Sequence, residues 1–586
     1  MQAAAKFLAV VTFTAGLRRI NNACLADPRG KKGRKIRLRQ LKLMATEAAG
    51  WRGYGGRFAA GGYCHEALRT AVAQTANQRN RGLESMHRRH LGYRDWGHYA
   101  LIVALGFLTG LRAVAALADV PALVSGDEPI VVTAHQVKTT HGILKYEARA
   151  GRLAIRNDES GEVRGYIFFV AYVAKADKTP RPLTFIWNGG PTSNSLLVHT
   201  EMFGPRRIET GGFVDNAETL LATSDLVFMD PVGTGFSRPA LPQYDREFLS
   251  TLGDFAATAE FIRAYRARFH ATHQPLFLGG ESYGTWRVNG ATEILVERGE
   301  KVRGAILISG GVPGSQMPFE FSDAMYIPAR TAAAFFHHKL PPELQKDREA
   351  TMRQVNDWIT TTYLPALEHR DTLSEAEKTQ IVADLARYTG VKPEQINSKT
   401  LVMSNREFLQ GLFPEKVLNT YDMRRIGADH DDPARKEYIG DYLRDELGYN
   451  TDLAYTGLED GYMPTPGPAR RSTGERWVYD HTDVTPDLIA RMQAGSGPPN
   501  SLPWLQNAMR IDHHLRVFVA AGRYDSLNMC EGNVRMSAKL EEDLSRRFTH
   551  HCYEGGHMMY RDQPTRLRLS EDIGRFINEA VSVGDK

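Results

Sequence analysis

The sequence predicts an α/β protein with a mostly parallel central sheet, helices on both faces and a helical cap insertion. Three observations predict it. Short apolar runs at 183–187, 226–229, 276–278, 304–309 and 515–522 fit buried strands. Between several of them lie stretches with helical spacing, and strands alternating with helices imply parallel pairing. Glycine-rich turns close most of the apolar runs, and in parallel sheets the site lies beyond those carboxyl ends. A content of 42% hydrophobic and 24% charged residues is that of a globular chain able to bury a large core.

Charge divides the chain. Residues 1–118 hold 20 Lys+Arg against 5 Asp+Glu, whereas the remainder holds 53 against 63. A basic arm therefore precedes an acidic body, and nothing in that body suggests nucleic-acid binding. Residues 1–85 show no core pattern; their basic run Lys31–Arg37 reads as a solvated, disordered arm or as an extension foreign to the working protein. Met86-His87-Arg88-Arg89 opens a different pattern. The apolar run Tyr99–Leu108 follows, then Ala116-Leu117-Ala118 before Asp119, which matches the charged, apolar and small-residue parts of a secretory signal over 86–118. The expected mature chain starts near Asp119 and is secreted or periplasmic. A membrane contact is expected only if segment 99–111 stays uncleaved as an anchor.

The first part of the core is expected over 119–311. Residues 130–133, 142–148 and 165–172 read as strands, with a hairpin-type turn at Asn157–Gly161. A strand at 183–187 ends in Asn188-Gly189-Gly190-Pro191, and one at 226–229 ends in Asp230-Pro231-Val232-Gly233-Thr234-Gly235-Phe236-Ser237. Phe248–Arg268 reads as a helix with Leu252, Phe255, Ala259, Ile262 and Tyr265 in one stripe. Residues 312–502 lack strand alternation, carry helical patterns around 342–369, 373–388 and 436–447, and read as a cap from most of which no chemistry is expected. Strands resume in the second part of the core, 503–586, with a helix expected over Cys530–Leu544 and a closing helix over about 565–577.

The segment 275–298 organises the rest. Leu276-Phe277-Leu278 leads into Gly279-Gly280-Glu281-Ser282-Tyr283-Gly284, and helical spacing follows through Val288, Ala291, Ile294 and Leu295. A serine in G-x-S-x-G between strand and helix sits on a sharp turn that lifts its hydroxyl above the sheet edge, beside a helix N-terminus that favours negative charge. A serine hydroxyl is too weak an acid to attack unaided. It needs an imidazole to take the proton and a carboxylate to fix the imidazole's tautomer. Asp525 and His557 each follow a later strand, giving the chain order Ser282, Asp525, His557 that an α/β-hydrolase fold requires. Two aimed N–H groups must hold the oxyanion: in this fold one belongs to Tyr283, and the Gly189-Gly190 turn is the candidate for the other.

Four motifs carry a resemblance: NGGP at 188–191, DPVGTGFS at 230–237, GESYG at 280–284 and GGHM at 555–558, with AAGRYDSLN at 520–528 beside them. Together they resemble the serine carboxypeptidase family, peptidase family S10, and its bacterial secreted branch through FGPRR at 203–207. The resemblance implies the α/β-hydrolase fold and release of C-terminal residues from peptides through an acyl-enzyme on Ser282. It implies Asp525 and His557 as partners, the N–H groups of Gly190 and Tyr283 as the oxyanion hole, and Asn188 and Glu281 as binders of the substrate's terminal carboxylate. Glu201 is the nearest counterpart of a second acidic residue in that carboxylate network. Two carboxylates at hydrogen-bond range must share a proton, so binding of a free C-terminus is expected to favour acidic pH. The other reading is an esterase or acyltransferase on the same scaffold. No cofactor is implied and no metal-ligand spacing occurs. Of the four cysteines, Cys530 and Cys552 fall in the body, where a disulfide and two free thiols are both open.

Overall fold

The computed structural model describes residues 128–584, apart from 176–179, 313–318, 429–433, 458–475, 484, 487 and 489–500. The basic arm, the signal pattern at 86–118 and residues 119–127 lie outside the described residues.

The chain begins with an antiparallel meander of β1 (Val131–Thr139), β2 (Gly142–Arg156) and β3 (Val163–Ala174). Then come β4 (Leu183–Trp187), a two-stranded ribbon of β5 (Arg206–Glu209) and β6 (Gly212–Asp215), β7 (Asp225–Met229), the short β8 (Arg238–Pro239), β9 (Leu276–Glu281), β10 (Val302–Ile308), β11 (Arg516–Gly522) and β12 (Phe548–Tyr553). The main sheet runs β1-β2-β3-β7-β4-β9-β10-β11-β12, with β8 paired to β3. Every pairing from β7 through to β12 is parallel. The meander strands are longer than their sequence runs because polar residues on their open face extend the ladder beyond the apolar segments.

The main helices are α1 (Thr251–Arg268), α2 (Gly284–Glu297), α3 (Ile327–Phe336), α4 (Arg348–Trp358), α5 (Glu375–Thr389), α6 (Trp504–Ile511), α7 (Cys530–Ala538) and α8 (Gln563–Gly584). Alternate residues of the buried strands point to opposite layers. Phe185, Trp187, Leu278 and Val519 pack against Ile262 of α1, Ala291 of α2 and Leu505 of α6. Ile186, Phe277, Ile306 and Phe518 pack against Leu569, Ile573 and Phe576 of α8 on the other face. With both faces covered, β4, β7 and β9 are buried throughout, which is why apolar runs mark β4, most of β7 and the first half of β9.

Two helix expectations need correction. Leu252 does not join the α1 stripe; it is exposed in the first turn, where the Ser250 hydroxyl caps the Gly253 N–H at 3.2 Å, and the buried apolar residues start at Phe255. The helix expected to reach Leu544 ends at Ala538. A turn through Lys539–Glu541 then lets Leu544 drop into the core as part of a separate short helix, Glu542–Ser545.

Within 319–423, α3, α4, α5 and the turns around them build a separate hydrophobic cluster centred on Ala332, Val355, Leu385 and Met403, joined by Tyr524 from the loop after β11. Residues Ile439–Tyr455 instead pack onto the sheet side, against Phe236 and Phe168.

After β4 the chain moves outward to β7 and returns on β4's other flank as β9. Connections therefore leave β4 and β9 in opposite directions, and a crevice opens between their carboxyl ends. One buried side chain braces it. Arg287 of α2 holds Asp254 of α1 through Nε at 2.8 and 3.0 Å, and donates from Nη1 to the Asn188 carbonyl at 2.8 Å and from Nη2 to the Pro191 carbonyl at 3.0 Å. Removing one partner of a buried pair strands the other charge. Arg287→Met is expected to lower stability by about 3–5 kcal/mol, read as a lower urea midpoint. The double substitution Asp254→Leu/Arg287→Met is expected to recover part of that loss.

Candidate active site

Ser282 stands between β9 and α2 with φ at 60°, the left-handed region that a non-glycine residue occupies only under local constraint. The constraint is visible. Its N–H donates to the Ile308 carbonyl of the next strand at 2.9 Å, and its own carbonyl accepts from the Thr285 N–H at 3.0 Å and the Thr285 hydroxyl at 2.8 Å. The backbone reverses within one residue, and Ser282 is half-buried at the turn.

His557 and Asp525 are both buried. Asp525 Oδ2 lies 2.7 Å from His557 Nδ1, and its Oδ1 accepts from the Leu527 N–H at 2.8 Å. A carboxylate that accepts at Nδ1 places the imidazole proton there and leaves Nε2 as the acceptor. Burial lowers the His557 pKa, but the Asp525 charge and hydrogen bond outweigh it, with Glu281 adding, so the net direction is upward. The Ser309 hydroxyl donates to the His557 carbonyl at 2.5 Å, one residue beyond the carbonyl that receives the Ser282 N–H. Serine and histidine loops are thus pinned to the same end of β10.

The Gly190–Pro191 bond is cis. A Cβ on Gly189 would sit 2.5 Å from the Tyr283 nitrogen and 2.6 Å from the Glu281 carbonyl, so only glycine lets this turn approach the elbow. Among the described residues, neither the Gly190 nor the Tyr283 N–H is taken by another group.

Glu281, one residue before the serine, is buried; its Oε1 accepts from Asn188 Nδ2 at 3.1 Å, while Oε2 has no hydrogen-bond partner among the described residues. The buried Tyr560 hydroxyl lies beside it, outside good hydrogen-bond geometry. Burial raises the Glu281 pKa, opposed by His557 and reinforced by Glu201. Asn188 Oδ1 accepts from the Val198 N–H at 3.1 Å, which fixes which end of its amide meets Glu281.

All seven residues predicted from the sequence thus converge on one end of the sheet. Others were not anticipated. The cap turn Asn419–Met423 bonds to both loops: the His557 N–H donates to the Tyr421 carbonyl at 2.6 Å, the Ser526 hydroxyl to the Thr420 carbonyl at 2.6 Å, and the Met423 N–H to the Tyr524 carbonyl at 2.9 Å. Gly556 permits this, since a Cβ there would overlap the Tyr421 carbonyl. The turn supplies no reacting group, but it holds the two loops that carry Asp525 and His557, a supporting contact that the sequence reading of the cap did not include. The sequence signal was Asn419, whose Oδ1 accepts from the N–H groups of Tyr421 and Asp422 and shapes the turn.

Cys530 and Cys552 are joined in a disulfide, closing the choice the sequence left open. With Glu531 alongside they have the composition of a metal cluster, but bonded sulfurs offer no thiolate ligand.

The serine carboxypeptidase family profile (peptidase S10) matches residues 142–448. The chain belongs to the serine carboxypeptidase family. Family relatives include the serine carboxypeptidase-like 37 protein of Arabidopsis thaliana, 31% identical over 144 residues, covering 23% of this chain and 29% of that one. The pheromone-processing carboxypeptidase KEX1 of Eremothecium gossypii is 34% identical over 143 residues, covering 23% of each chain. The aligned regions thus span less than a third of either relative, by those 29% and 23% shares. Among solved structures, the Kex1 prohormone-processing carboxypeptidase of Saccharomyces cerevisiae matches at 15% identity, covering 74% of this chain and 92% of that one, with a TM-score of 0.46. A carboxyl esterase from Bacillus coagulans matches at 13% identity, covering 74% and 99%, with a TM-score of 0.30.

Gly189→Ala tests the close approach. The variant is expected to keep its circular-dichroism spectrum and lose about 100-fold or more in kcat, because the added methyl pushes the NGGP turn away from the elbow amide.

Proposed function

We propose that this protein is a serine carboxypeptidase that releases C-terminal residues from peptides through an acyl-enzyme on Ser282. One observation carries the reading: a strained serine whose turn is tied to the same end of β10 as the loop of a buried Asp525–His557 pair, next to a buried carboxyl that leaves one oxygen without a hydrogen bond among the described residues, beside the Tyr560 hydroxyl. The first three supply acyl transfer. The last explains the preference for a chain end, since a peptide's terminal carboxylate can take the free side of Glu281 if one proton lies between them.

The steps follow from the placement. His557 Nε2 takes the Ser282 proton as Oγ attacks the scissile carbonyl, and Asp525 stabilises the imidazolium. The N–H groups of Gly190 and Tyr283 receive the oxyanion. His557 returns the proton to the leaving amine, then acts as base for the water that frees the acyl group from Ser282. Asn188 and protonated Glu281 hold the substrate carboxylate throughout. Export is part of the same proposal: the pattern over 86–118 and the Cys530–Cys552 bond both support it.

The test uses a blocked dipeptide, its C-terminal amide and its ester. The free acid is expected to be the best peptide substrate, and Ser282→Ala to lower kcat at least about 10⁴-fold. Activity confined to the ester would favour the esterase reading.

The pH dependence has two opposed parts. Glu281 has a raised pKa, so its proton is retained below that pKa and lost as pH rises through it. KM for the free acid is therefore expected to rise with pH while KM for the amide stays flat. His557 also has a raised pKa, so kcat for both is expected to fall on the acid side as the base becomes protonated.

A further inference from the structure

A second acidic side chain sits in the same cluster. Asn188 links Glu281 to the turn Val198–Phe203, every residue of which is buried, through its bonds to Glu281 and to the Val198 N–H. That turn presents Glu201, which is buried and faces Glu281. Glu201 is held in two bonds by Arg561: Nε to Oε2 at 2.8 Å and Nη2 to Oε1 at 3.2 Å. Arg561 closes the short turn Met559–Arg561, four residues past His557, and Tyr560 of that turn lies beside Glu281.

Without a counter-charge, Glu281, Glu201 and an incoming carboxylate would place three like charges together, and binding would need two protons. Paired side-on with a guanidinium, Glu201 contributes no net charge. On the described elements, the groups facing Glu281 are Asn188, Glu201, His557, Tyr560 and Arg561. Those facing Glu201 are Glu281, Tyr560, Arg561 and Arg566. Arg566 donates to the Tyr560 carbonyl at 3.1 Å and lies 3.9 Å from Glu218, so its charge already has another partner.

We propose that Arg561 is a specificity-determining residue: it is the fixed counter-charge of Glu201, and it makes capture of a substrate α-carboxylate depend on one proton, at Glu281, instead of two. This rests on the carboxypeptidase reading above. Arg561 does not contact the reacting atoms; it sets how far toward neutral pH a free chain end is still accepted.

The experiment measures KM and kcat for the blocked dipeptide and its amide from about pH 4 to about pH 8, a range spanning carboxyl and imidazole titration. In the unaltered protein, KM for the free acid is expected to rise about tenfold per pH unit above the Glu281 pKa, the slope of one proton. Arg561→Gln is expected to steepen that slope toward two protons and raise neutral-pH KM for the free acid roughly tenfold or more, with the amide unchanged. Arg561→Lys should retain most of the free-acid affinity. Glu201→Gln/Arg561→Gln, which removes both charges, should return the one-proton slope.

Equal losses on acid and amide in Arg561→Gln would reduce Arg561 to a structural tie and overturn the proposal. An unchanged slope would do the same, as would a double variant that stays as impaired as the single one. If the unaltered protein shows no free-acid preference, the function proposed above falls, and this inference with it. A preference that survives Arg561→Gln unchanged removes this inference alone.

Discussion

The guanidinium of Arg287 is the interaction on which the site's geometry depends. It sits on the helix that begins at the elbow, is wholly buried, and spends its donors on Asp254 of a neighbouring helix and on two carbonyls of the NGGP turn. A planar, permanently charged fork can hold three chain segments at once in a way a lysine cannot. The burial of the charge is tolerable only because every segment it holds is in place. The helix that follows Ser282 and the turn that carries Gly190 therefore keep one relative position, which the proposed oxyanion hole requires.

A similar economy governs the other side of the site. His557, the general base of the proposed mechanism, sits on a loop, and loops alone place side chains loosely. Here the His557 backbone is held at both ends: its carbonyl by Ser309 from the sheet, its N–H by Tyr421 from the cap. The cap reaches the Asp525 loop as well, through Ser526 and Tyr524. The Asp525–His557 pair is thus aligned partly by a cap segment, and the cap and that pair are mechanically one unit.

Much of this was legible in the residue order. The strand-turn-helix at Ser282, the aspartate and histidine at later strand ends, and the glycine pair before Pro191 are local signals, because each demands particular residues within a few positions of chain. The bounds of β4 followed from burial on both faces, which leaves an apolar run, whereas β9 runs three residues past its apolar run, through Gly279-Gly280-Glu281, buried without apolar side chains. What stayed hidden depends on contacts far apart in sequence. Nothing around Arg287 distinguishes it from a surface arginine on a helix, and its partners lie 33 and about 100 positions away. Tyr421 acts through its backbone carbonyl, which no side-chain pattern encodes. Leu252 misled because helical spacing does not say where along a helix the core begins.

The disulfide has a consequence of its own. Cys530 lies five residues after Asp525 and Cys552 five before His557, so the bond joins the two stretches that carry the hydrogen-bonded carboxylate and imidazole. In a reducing compartment that strap is absent, and the carboxylate and imidazole rely on weaker ties to find one another. The covalent part of their alignment therefore exists only where sulfur is oxidised.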